Sequence, residues 1–188
     1  MDPFMPYLAG FFDGDGSLHF QIVRCGVYRF GFYIRASMVF YQATSAEAGL
    51  LEIQQKVGGR LRRRGEMSDV TITKRPVIRS LLCDVQPYVI FKRSQVREGL
   101  KLLDRLPPPR DPIGFLETCE AVDGFASLNF SKSRTVTART VWESFESMGL
   151  LAPVTTSPKG GAQLQIFPRG GSIYELRNTP APRKGMKG

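Results

Sequence analysis

One histidine and three cysteines are all this sequence offers of the side chains that usually serve nucleophilic catalysis and transition-metal binding. A histidine-based triad or a histidine-rich metal site would therefore be stretched. Cys25, Cys83 and Cys119 are scattered without CxxC spacing, so neither a zinc site nor a disulfide framework is expected. No apolar run is long enough to span a bilayer. The opening residues, Met1-Asp2-Pro3-Phe4-Met5, form neither a signal peptide nor an Arg-rich transit peptide. The expectation is a soluble protein with no targeting signal, no membrane partner and no small-molecule ligand. It would work where it is made, in an organelle (chloroplast or mitochondrion) if encoded there and otherwise in the cytoplasm or nucleoid.

Acidic residues are also in deficit. There are 17 against 26 Lys and Arg, a net charge of +9 and a pI near 9.8. That balance favours a polyanionic partner, although a basic protein that binds nothing has the same composition. A chain of 188 residues with 42% hydrophobic content suits one domain with a real core. We place that domain at residues 1–150. Residues 151–188 are expected to form a basic, flexible tail rich in glycine and proline.

The chain is organised around the stretch from Pro6 to Ser17. Tyr7 to Phe12 carries no charge, so a buried helix is expected. Gly10 and Gly14 are four apart and share one helix face, where another backbone could approach closely. Asp15 follows at the C-terminal end. A carboxylate there is unfavourable beside the negative end of the helix dipole, and a divalent cation reverses that sign. The last helical carbonyls are free to serve as oxygen ligands, and hard cations such as Mg²⁺ and Ca²⁺ take such sites. An EF-hand loop would need further acidic positions, but Leu18, His19, Phe20 and Gln21 follow instead.

Beyond the turn, Leu18, Phe20 and Ile22 alternate with His19, Gln21 and Val23, which predicts a strand over Ser17–Arg24. Cys25-Gly26-Val27 is a hairpin connection. Phe30, Phe32, Ile34, Ala36, Met38 and Phe40 then repeat at period two, with Arg29, Gly31, Tyr33, Arg35, Ser37 and Val39 between them. One face packs a core. The other is either a solvated face or one that a two-stranded ribbon lays in a DNA major groove. Thr44 to Glu47 fits a capping box opening a helix that Gly58-Gly59 ends. Arg60 to Arg64 begins a second hairpin, and Asp69 to Thr73 returns. Arg62 and Arg64 share a face. They form either a general electrostatic patch or contacts to bases or phosphate. Pro76 opens a helix through Val85, and another runs from Lys92 to Leu106. Asp111-Pro112 starts a third, and Thr137 caps the last. The order αββαββα suggests an α+β domain, with a four-stranded sheet covered by helices on one face.

The run Leu8-Ala9-Gly10-Phe11-Phe12-Asp13-Gly14-Asp15-Gly16 resembles the LAGLIDADG motif of homing endonucleases. The motif is nearly complete and stands just before an alternating strand, as in that family. It occurs once; Glu120 to Phe125 lacks the Asp-Gly-Asp-Gly end. The chain is thus similar to the single-motif homodimeric branch, particularly members encoded by chloroplast ribosomal-RNA introns, over residues 7–147.

The resemblance implies a homodimer with an antiparallel DNA-binding saddle, cleaving a long pseudo-palindromic site in double-stranded DNA. Cleavage would need Mg²⁺; Ca²⁺ would bind without supporting it. The motif helices of two subunits would pack through Leu8, Gly10, Phe11 and Gly14. Asp15 and the Gly14 carbonyl would hold the metal. Gln42 matches a polar residue that helps place water and metal, and Lys92 a lysine near the scissile phosphate. Taken alone, these two are a strand-end glutamine and a helix-start lysine. A basic residue that the family carries shortly after the Gln42 position is Ala46 here, a departure. Lys132 and Arg134, after Leu128-Asn129, match a basic loop that contacts phosphates. Gln21, Tyr33, Arg35, Ser37, Arg62, Arg64, Asp69 and Thr71 are the expected groove face. An RNA-binding intron maturase and a cleavage-inactive DNA-binding protein are the alternatives.

Overall fold

The computed structural model describes residues 3–129 and 134–151. Of the tail expected over 151–188, all but Leu151 lies outside the described residues, as does the expected phosphate contact at Lys132.

The first helix, α1, spans Phe4–Asp15, starting earlier than Tyr7 because Phe4 and Met5 extend its apolar side. It is not buried all round. Leu8, Ala9 and Phe12 face the core, whereas Tyr7, Gly10 and Gly14 are exposed. The uncharged stretch thus combines an inward stripe with an outward one of small and aromatic residues. Gly16 ends the helix in an extended conformation, its N–H donating to the Phe12 carbonyl. A Cβ on Gly16 would stand 2.6 Å from Phe12 Cα and 2.7 Å from its carbonyl oxygen, so only glycine allows this sharp exit.

Two hairpins follow. Strands β1 (Gly16–Arg24) and β2 (Phe32–Ala43) pair antiparallel; β3 (Arg60–Arg64) and β4 (Met67–Ile72) do likewise. β2 joins β4, giving one antiparallel sheet in the order β1-β2-β4-β3. The chain is an α+β domain, as the element order implied. The first connection is longer than Cys25-Gly26-Val27: Cys25 N–H reaches the Gly31 carbonyl, and Gly31 takes φ +71°. Phe30 leaves the strand but stays buried against Phe115 and Phe145.

Helix α2 (Glu47–Val57) joins the hairpins; α3 (Arg75–Val85), α4 (Arg93–Asp104), α5 (Pro112–Ala126) and α6 (Ala138–Ser147) complete the layer. Asp111 caps α5 and Thr137 caps α6, as expected. The capping box at Thr44 is not formed. Thr44–Ala46 is a 3₁₀ turn, and Thr44 Oγ1 donates to the Gly65 carbonyl at 3.0 Å. Glu47 instead takes Arg63 Nε at 2.6 Å and Ser68 Oγ at 2.9 Å, fastening α2 to the second hairpin. Those partners hold its carboxyl below the ordinary glutamate range, led by the Arg63 hydrogen bond. A buried carboxylate needs charged partners more than a helix end needs a cap. Among the described residues, no helix is long and apolar enough to cross a membrane.

Even-numbered residues of β1 and β2, from Leu18 to Phe40, pack against the helices. Among the described residues, the odd-numbered side carries the exposed Gln21 and Arg35 and the half-buried Tyr33 and Tyr41, and the strand pairing joins it into one continuous face.

Candidate active site and nucleic-acid interface

Three acidic or basic groups meet where α1 ends. Asp15 is exposed and makes no hydrogen bond among the described residues. Asp13 points the other way, its carboxylate accepting the backbone N–H groups of Ile90 (2.5 Å), Phe91 (3.2 Å) and Lys92 (3.0 Å). Lys92 Nζ donates to the Phe12 carbonyl at 2.8 Å and to the Asp13 carbonyl, and lies 3.5 Å from the Gly14 carbonyl. Burial lowers the Lys92 pKa, while Asp13 and Asp15 pull it back up. The expectation that the last α1 carbonyls are all free is thereby corrected. A buried helix terminus needs donors, and Lys92 supplies them to Phe12 and Asp13. The Gly14 carbonyl is the least engaged.

Gln42 stands on β2 just past Phe40, the register partner of Gly16, and so beside the α1–β1 junction. Its Oε1 accepts the Ala43 N–H at 2.9 Å, leaving its amide donors without a hydrogen bond among the described residues. Asp15 and the Gly14 carbonyl make an all-oxygen donor set suited to a hard cation. One chain supplies only part of such a site. Among the described residues, no three Asp, Glu, His or Cys side chains gather as ligands.

The expected subunit-contact residues separate into two groups. Leu8 is fully buried in the chain's own core, so it cannot reach a second subunit. Phe11 is half-buried, its ring stacked between Tyr7 and Phe40. Gly10 and Gly14 are exposed, and a Cβ on either would meet nothing within 4 Å. They form an open face in the single chain.

The continuous sheet face is read directly from the pairing. Gln21 opposes Arg35, His19 opposes Ser37, and Tyr41 opposes Asp69, which opposes Arg62. Arg35 Nη2 donates to Gln21 Oε1, so this pair is preformed. Tyr33 stacks on Tyr28 with ring centroids 4.9 Å apart. Ser37 is recessed, only 9% exposed.

Asp69 is not the exposed acceptor expected of a base reader. It is 2% exposed, and its Oδ2 accepts from Arg62 Nη2 at 3.1 Å and Thr71 Oγ1 at 2.6 Å. Arg64 Nε lies 3.1 Å from Oδ1 but off hydrogen-bond geometry, leaving that oxygen buried without a hydrogen bond. Asp69 thus anchors two arginines from beneath. Arg134 is likewise corrected. It is mostly buried and donates to the Val122 carbonyl at 3.0 Å beside Asp123, so it ties the chain to α5. Sequence reading passed over His19, Tyr28, Tyr41 and Arg60. Parity alone would have placed His19 and Tyr41 on this face. Arg60 has the parity of Arg62 and Arg64 and belongs with them, whereas Tyr28 needed the loop that folds it onto Tyr33. Burial, then Arg134, hold the His19 pKa below its usual value.

The LAGLIDADG endonuclease family model matches residues 8–85. DNA endonuclease I-CreI of Chlamydomonas reinhardtii is 35% identical over 147 residues, covering 77% of this chain and 90% of that protein. The chain belongs to the LAGLIDADG endonuclease family. DNA endonuclease I-CvuI of Chlorella vulgaris is 32% identical over 145 residues, covering 76% of this chain and 90% of that protein. The crystal structure of I-CvuI with the I-CreI target, in the presence of Mg, superposes with a TM-score of 0.72 at 31% identity, covering 77% of this chain and 94% of that one. The archaeal intron-encoded enzyme I-Vdi141I, complexed with DNA, gives a TM-score of 0.70 at 14% identity over 79% of this chain and 98% of that one, and shows the shared fold. In LAGLIDADG terms, the motif here is the end of α1 and its glycine exit into β1.

Proposed function

We propose that the chain is a homodimeric, sequence-specific double-strand DNA endonuclease that uses Mg²⁺. The observation that carries this reading is Asp15: an exposed carboxylate without a hydrogen bond, at the negative end of a helix whose Gly10/Gly14 face lies open. Such a group is stable where a cation and a second backbone complete its surroundings. The DNA endonucleases I-CreI and I-CvuI, each matched over 90% of its own length, support the substrate. I-CvuI crystallised with target DNA in Mg and in Ca supports a divalent cation.

Two copies would meet along α1, with Gly10 and Gly14 allowing close approach. Tyr7, 60% exposed, and Phe91, 85% exposed on the turn pinned to α1, add apolar area for a second copy to cover. The two Asp15 carboxylates would then lie near one dyad. When bound there, a divalent cation neutralises phosphate charge and activates water for in-line hydrolysis. The chain's own groups bind and orient. Arg35, Arg60, Arg62 and Arg64 project from the open face toward phosphates and guanine edges. Gln42 offers its free amide donors at the junction. Lys92 places positive charge beside Asp15, where charge develops on the phosphate. The test is Asp15→Asn: DNA binding measured in Ca²⁺ should stay within about threefold, while Mg²⁺-dependent cleavage falls at least on the order of a thousandfold. Equal cleavage by the variant would refute the reading.

A further inference from the structure

Asp13 precedes Asp15 by two residues, yet nothing in the proposed chemistry uses it. Its three hydrogen bonds run to a turn 77 to 79 residues away in sequence. That turn opens α4, whose N-cap position, Lys92, has no side-chain cap of its own. Asp13 reaches from α1 to the three N–H groups just before Arg93, the first residue of α4, and so sets a carboxylate beside the N-terminal side of that helix. The exchange is mutual. Lys92 belongs to the start of α4, and its ammonium satisfies carbonyls at the end of α1.

Each charge thus sits on the helix end that favours it. A carboxylate suits the N-terminus of α4 and an ammonium the C-terminus of α1. Turned back on its own helix, each would meet the wrong end, Asp13 the C-terminus of α1 and Lys92 the N-terminus of α4. The lysine chain is long and flexible, and holding its ammonium in one place costs side-chain entropy. Three N–H groups bound to a single carboxylate fix the backbone from which that chain extends.

We propose that Asp13 is a positioning residue that acts through Lys92. By locking Ile90–Lys92 onto the end of α1, it holds the Lys92 ammonium beside Asp15. The inference rests on the endonuclease reading for its consequence in cleavage, but the lock itself belongs to the free protein.

The test compares Asp13→Asn, Asp13→Glu, Lys92→Met and the double variant Asp13→Asn/Lys92→Met, all in the full chain. Amide hydrogen exchange of Ile90, Phe91 and Lys92 is measured without DNA or metal. Asp13→Asn should speed exchange there at least about tenfold while leaving β1 and β2 unchanged. Unchanged protection at these amides would overturn the proposal, whatever the protein cleaves. Single-turnover cleavage in Mg²⁺ supplies the second arm. Asp13→Asn should slow it on the order of a hundredfold with DNA affinity in Ca²⁺ retained. Asp13→Glu should recover part of the rate. The double variant should be no slower than Lys92→Met alone. Costs that multiply in the double variant, or a parallel loss of DNA affinity, would show a general structural role instead. A wild-type chain that cleaves nothing would end the endonuclease reading, while the exchange arm still decides the lock.

Discussion

At the scale of single residues, chemical type was legible and partnership was not. Asp15 could be picked out because an acid at a helix C-terminus is out of place without a cation. Asp69 looked much like it, an acid on the open side of a strand. Its role was hidden because Arg62 and Arg64 lie on β3, and only the strand register brings them over it. With the carboxylate 2% exposed and the guanidinium groups 41% and 64% exposed, the arginines are held in place rather than neutralised. Asp69→Ala should therefore free both arginines into solvent. We expect a loss of about 1–2 kcal/mol in urea unfolding together with relaxed sequence preference in DNA selection. Unchanged stability with unchanged preference would mean the anchor does nothing.

At the scale of elements, α1 contains two kinds of glycine, and they should respond differently. Gly16→Ala drives a Cβ into the Phe12 backbone, so unfolding should come about 1–3 kcal/mol earlier. Gly10 meets no neighbour in the single chain. Glycine in a helix costs about 0.5–1 kcal/mol relative to alanine, so Gly10→Leu should leave the fold intact. Sedimentation should nevertheless show it monomeric at concentrations where the wild type is a dimer. The elements themselves were readable from period-two alternation, proline and glycine punctuation, and the Asp111 and Thr137 caps. The start of α2 was misread because a Thr-x-x-Glu spacing does not reveal that Glu47 is buried beside Arg63. That contact gives a pH dependence. Folding lowers the Glu47 pKa, so its stabilisation is complete above the ordinary value of 4.5 and is lost as pH falls below it. Glu47→Gln should flatten this acid limb in thermal melts. An unaltered limb would assign it to other carboxylates.

At the scale of the molecule, the sequence announced a basic, single-motif chain, and the family comparison agrees over 90% of I-CreI. The sequence also pointed to the incompleteness of one chain, and among the described residues Asp15 makes no hydrogen bond and the Gly10/Gly14 face of α1 lies open. A net charge of +9 and four arginines on that sheet should make DNA binding strongly salt-dependent. Affinity should fall on the order of a thousandfold between about 50 and 200 mM salt; a flat response would contradict the sheet-face assignment. The central claim is that two copies build one cleavage site. Mixing wild-type and Asp15→Asn chains under exchange conditions tests it directly. If double-strand cleavage needs both copies of Asp15, activity should follow the square of the wild-type fraction, about a quarter in an equal mixture. Activity linear in that fraction, about a half in an equal mixture, would mean that each chain cuts alone and would contradict the shared site.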